Sequence, residues 1–130
     1  MPRLPDVQKL ARKDGRFHPE AFNLVAAGLR QALLLTGKVK REGEERHLTA
    51  RELLDGVVDL ATERYGLLAD LVCERWNLHS GADVGAITFV LVDNGIFTKQ
   101  PDDRIEDFAG IGSLSTALRQ RARERLAERN

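Results

Sequence analysis

Cysteine is nearly absent. A single Cys73 excludes an intrachain disulfide and any zinc site with two or more thiolate ligands. No apolar run approaches the length of a membrane span, so no membrane contact is expected. The opening segment MPRLPDVQKLARKDG lacks the apolar stretch of a signal peptide, and the expected location is cytoplasmic. Net charge is missing too, since 20 Lys and Arg balance 20 Asp and Glu. That balance argues against a uniformly basic nucleic-acid coat and against a self-repelling disordered tail. Neither G-x-x-x-x-G-K-[ST] nor a strand–helix G-x-G-x-x-G occurs, and Gly110-Ile111-Gly112 reads as a turn. Internal repeats and low-complexity tracts are also lacking.

What remains is 130 residues, 42% hydrophobic and 31% charged, enough for one helical domain. Residues 1–16 form a peripheral segment, 17–109 the core, and 113–130 a charged C-terminal helix. Pro5 and Asp6 open a short helix ending near Gly15. Pro19 suits the first position of the next one, where its missing N–H costs nothing. Phe17 and Phe22 flank that start as a hydrophobic staple. Phe22, Val25, Leu29, Ala32 and Leu33 follow helical spacing, widened by Leu24 and Leu35, until Gly37 accepts a left-handed backbone. Lys38–His47 reads as an exposed loop.

The clearest helix starts at Thr49, which forms a capping box with Glu52. Leu53, Leu54, Val57, Val58, Leu60 and Ala61 point inward. Glu52, Asp55, Asp59 and Glu63 run along the other side. Tyr65-Gly66 closes this helix. The next places Leu67, Leu68, Leu71, Val72 and Trp76 inward and Asp70, Glu74 and Arg75 outward. Ser80 and Asp83 cap a fifth helix that is apolar nearly all round, so it is expected innermost, with Phe89 and Trp76 in the core. Gly85 within it points to close packing against a neighbour. After Asn94-Gly95 the chain has two readings: a small β-hairpin over 96–108, or a helix from Arg104 to Ala109. Ser113 or Ser115 then caps a last helix with Leu114, Leu118, Ala122 and Leu126 as its stripe. The fold class is thus all-α, five to six helices in an orthogonal arrangement, with the small hairpin as the open question.

The matching pieces Phe17…Ala21-Phe22, Leu53-Leu54-Asp55-Gly56, Leu60-Ala61, Tyr65-Gly66, Ala69 and Trp76 continue as Asp83-Val84-Gly85, Ile87, Phe89, Leu91-Val92, Gly95 and Asp102-Asp103. They close on Asp107-Phe108-Ala109-Gly110. In this order the chain resembles a bacterial family of small uncharacterised proteins known by a locus-style label. Where that family carries tyrosines, this sequence has Phe17 and Phe22. The resemblance implies a shared fold and no particular activity.

Charge is unevenly placed. Residues 1–50 carry ten bases and six acids, residues 51–110 five and twelve, and residues 111–130 five and two. The basic ends can fold back on the acidic middle, or on the middle of a second copy. Asp55, Asp59, Glu63, Arg119 and Arg123 are therefore the candidate interaction surface. The leading function is a non-catalytic protein–protein interaction or assembly module, self-associating or serving a protein partner, with no cofactor. The alternative is a winged-helix-like DNA-binding protein using residues 67–108. That segment holds three bases against eight acids, which disfavours nucleic acid. Two further constellations are weaker. Asp55, Asp59 and Glu63 can bind a hard metal ion only if they meet Asp102, Asp103, Glu106 or Asp107. Cys73 acts as a nucleophile only with a histidine (His18, His47 or His79) and positive neighbours, whereas Glu74 adjoins it.

Overall fold

The structure, a computed structural model, describes residues 7–38, 48–96, 105–110 and 112–128. Its helices are α1 (Val7–Asp14), α2 (Pro19–Thr36), α3 (Ala50–Tyr65), α4 (Ala69–Arg75), α5 (Gly81–Asp93), α6 (Ile105–Ala109) and α7 (Leu114–Glu128). A single 3₁₀ turn, Gly66–Leu68, joins α3 to α4. Among the described residues there is no strand, only an isolated bridge between Ser80 and Ser113. Of the stretch left open between hairpin and helix, Ile105–Ala109 is helical, and residues 97–104 lie outside the described residues. So does most of the loop expected at Lys38–His47, together with the Pro5-Asp6 opening.

Local signals set the helix ends as expected. His18 precedes α2 in an extended conformation, and its Nδ1 accepts from the Glu20 N–H at 3.0 Å. Phe17 and Phe22 meet edge to face at 6.3 Å. Gly37 takes φ 74° after α2. Thr49 with Glu52, and Ser80 with Asp83, form complete capping boxes at α3 and α5. The Ser113 hydroxyl accepts from the Thr116 N–H at the start of α7.

The innermost helix is α3, not α5. It packs against α2, α4, α5, α6 and α7, and ten of its sixteen residues are buried. Small residues permit this. A Cβ on Gly56 would lie 2.6 Å from the Gly28 carbonyl oxygen and 2.6 Å from the Ala32 Cβ, so α2 and α3 touch backbone to backbone. On α5, Val84, Ile87 and Leu91 are buried, while Phe89, Val90 and Val92 are half-buried at its margin. Trp76 is half-buried as well. Gly85 does have the close neighbour its sequence implied, since a Cβ there would lie 2.9 Å from Cβ and Cγ of Phe108.

Two other placements differ from expectation. Leu35 is 53% exposed at the end of α2 and does not widen its buried face. On α7, Leu114, Leu118 and Ala122 are buried against α3 and α4 as their stripe implied, whereas Leu126, placed on the same stripe, is exposed.

Candidate functional site

The acidic face of α3 does not survive as a unit. Asp55 is exposed and faces Arg51 at 4.0 Å, a surface pair worth little. Glu63 is exposed. Asp59, expected outward between them, is 4% exposed. The reason is α7, whose cations close over it. Arg121 Nε donates to Asp59 Oδ1 at 2.9 Å, and Arg125 Nη2 lies 2.7 Å from the same oxygen. The Gln31 amide donates to Oδ2 at 2.6 Å from α2. Arg125 also donates to the Asp59 carbonyl oxygen at 3.1 Å and to the Thr62 hydroxyl at 3.0 Å. Burial opposes the charge on Asp59. The Gln31 amide and the two guanidinium groups outweigh that effect and hold its pKa below the ordinary aspartate value.

Arg119 and Arg123, the basic half of the expected surface, separate in the same way. Arg119 Nε donates to Asp70 Oδ2 at 2.9 Å, and this bond chiefly lowers the Asp70 pKa. Arg123 is exposed. Lys38 pairs with Glu52 at 3.2 Å. Basic segments thus fold back onto the acidic middle of their own chain, and Arg121 and Arg125, two of the arginines along the last helix that were not among the candidate surface residues, carry much of that closure. Their i, i+4 spacing was the available signal, because it places both on one side of the last helix.

A groove of about 290 Å³ runs between α4 and α7, lined by Asp70, Glu74, Leu78, His79, Ser115 and Arg119 among others. Three of its polar groups serve one another, since Ser115 and Arg119 hold Asp70, and His79 Nε2 lies 2.9 Å from Asn77 Oδ1 beside the groove. Among the described residues no group of three His, Cys, Asp or Glu side chains is placed to hold a metal ion. Asp102 and Asp103 lie outside the described residues, as does His47.

Cys73 is buried in α4, and burial together with the Asp70 charge pushes its thiol up to about 11. A thiol held neutral and covered is a poor nucleophile. In native buffer Cys73 is expected to resist a maleimide reagent, with full labelling only after denaturation. Rapid stoichiometric labelling of the folded protein would show the thiol to be open.

The feature that the sequence did not indicate is apolar. Leu67, Leu68 and Leu71, expected inward, are 60%, 61% and 57% exposed. Gly66, with φ 56° and ψ −131°, redirects the chain after α3, so that Ala69 and Cys73 become the buried side of α4. Leu67 and Leu68 lie in the 3₁₀ turn and Leu71 in the first turn of α4, so all three exposed leucines belong to one corner of the chain. Leu34 and Leu35 are also exposed, near the C-terminal end of α2.

No protein-family model, curated protein or solved structure matches this chain. None of the described helices is long and apolar enough to cross a membrane.

Proposed function

We propose that this protein is a non-catalytic, cytoplasmic interaction module, and that it docks through the leucine corner between α3 and α4. The carrying observation is the exposure of three leucines, Leu67, Leu68 and Leu71, within five residues at the corner where α3 gives way to α4. Leucines grouped on one surface, rather than scattered, mark a contact site. The charged surface first considered contributes less, because Asp59 is covered and Arg119 is held by Asp70. The resemblance to small bacterial proteins is part of this proposal, and it rests on packing residues such as Phe22, Leu54, Val84 and Ile87, all buried.

Nothing specific favours the DNA-binding alternative. A winged helix needs a return strand where Ile105–Ala109 is helical, and α5 presents Asp83 and Asp93 with no basic side chain. A photo-cross-linking residue at position 71 of the full chain, in the cytoplasm of its native cell, tests the proposal. Discrete protein adducts are expected from position 71, lost when Leu67→Glu is added, and absent with the probe at the exposed Arg12 of α1. No adduct from position 71, or equal adducts from both positions, would contradict it.

A further inference from the structure

Two exposed histidines stand where the start of α2 meets the turn after α4, and their rings are used in opposite ways. The His18 backbone N–H donates to the Trp76 carbonyl oxygen at 3.2 Å, and the Asn77 side-chain amide donates to the Arg16 carbonyl oxygen at 2.9 Å. These two bonds hold the segments together whatever the state of the rings. His18 Nδ1 accepts from the Glu20 N–H, so that nitrogen carries no proton. At the facing turn the amide nitrogen of Asn77 is committed to Arg16, and its Oδ1 can only accept. His79 Nε2, 2.9 Å from that oxygen, is therefore the donor. Uptake of a proton leaves the His79 bond intact and removes the His18 bond.

The surroundings give the charged His18 ring somewhere to go. At the start of α2 a cation meets the positive end of the helix and its free N–H groups. The Trp76 ring, stacked on His18 at 6.0 Å and 19°, attracts an imidazolium through its face. Tyr65 holds the indole edge to face at 5.8 Å, so the imidazole is the partner that shifts. The nearby charges have other partners. Asp14 and Arg16 pair with each other at 2.7 Å, and the Glu20 carboxylate accepts from Asn23. Across the joint, Asp83 accepts from the His79 and Ser80 N–H groups, and Glu74 and Arg75 are exposed.

We propose that His18 is an acid-sensitive cap: on taking up a proton at Nδ1 it releases the Glu20 N–H, settles on Trp76 and leaves the first turn of α2 uncapped. Histidine is the side chain that changes charge between about pH 8 and 5.5, a span in which ordinary carboxylates stay ionised. The device is independent of the docking role given to the leucine corner.

Nuclear magnetic resonance and tryptophan emission of the purified full chain, followed together across that span, give the test. Trp76 is the one tryptophan of the chain, so its emission reports the stack directly. As pH falls, the Glu20 amide is expected to move upfield and Trp76 emission to drop, both along the titration curve of the His18 ring. His18→Asn and His18→Asp accept a hydrogen bond throughout the span, and both are expected to hold the two signals flat. Either variant suffices should the other fail to fold. His79→Asn and His47→Asn are expected to keep both changes. A Glu20 amide that stays fixed while the His18 ring titrates overturns the proposal. So does an emission change that persists in the His18 variants, or one that vanishes in His79→Asn or His47→Asn.

Discussion

Replacing Asp59 by alanine is expected to lower stability by about 3 kcal/mol, the low end for breaking a buried charge pair. The low end applies because Arg121 and Arg125 keep 28% and 24% of their side-chain surface in water and recover solvation once orphaned. Arg121→Ala or Arg125→Ala is expected to cost about 1 kcal/mol, since the other guanidinium still holds the carboxylate. That order, with the acid worth more than either base, is the mark of one anion shared by two cations. Urea melts of the three variants measure it, and equal losses would break the shared-anion description.

The same clamp makes a pH dependence. The folded pKa of Asp59 is below its unfolded value, so the unfolded chain takes up the proton first as pH falls. Stability from this group is complete above the unfolded value of about 4 and is lost as pH drops through the folded one. Asp70, held by Arg119, and Glu52, held chiefly by the Thr49 N–H, act in the same direction. The wild-type chain is therefore expected to lose more stability between pH 5 and pH 2, roughly the span of these carboxylates, than Asp59→Ala does. Parallel pH profiles for the two would mean that Asp59 titrates as an exposed acid.

Gly56→Ala is the second large effect expected. In an exposed helix this change adds about 1 kcal/mol of stability. Here the new Cβ would sit 2.6 Å from the Gly28 carbonyl oxygen and 2.7 Å from the Ala32 backbone nitrogen, neither of which can rotate away. α2 and α3 must separate, opening the packing around Val57, and a net loss of about 3 kcal/mol is expected. Gly110→Ala is the control, because nothing lies within 4 Å of a Cβ there and its backbone needs no left-handed conformation. Chemical denaturation of both variants decides it. A Gly56→Ala protein as stable as wild type would show that the helices do not meet at their backbones.

How much of this was legible in the sequence follows from the range of each interaction. Caps are local, so Thr49 with Glu52, Ser80 with Asp83 and Gly37 after Thr36 could be read directly. The inward set of α3 was legible because sixteen residues give its period several turns to repeat. Asp59 was not, since the groups that bury it lie 28, 62 and 66 residues away along the chain. Its own helix shows only a polar residue in a polar row with Asp55 and Glu63. The leucine corner failed for another reason. α4 is seven residues long, too short to show its own period, and the turn at Gly66 decides which side meets the core. α5 looked innermost because apolar residues surround it, but centrality went to α3, where Gly56 lets α2 approach.

Amide hydrogen exchange along α7 measures most directly whether the basic C-terminal helix is built into the domain. A fifteen-residue helix on its own is marginal in water, so protection there requires docking. Amides from Ala117 to Arg125 are expected to exchange as slowly as those of α3 facing them, and to speed up together in Asp59→Ala. Exchange at free-chain rates in the wild-type protein would mean that the C-terminal cations are loose, and the closure over Asp59 would have to be abandoned.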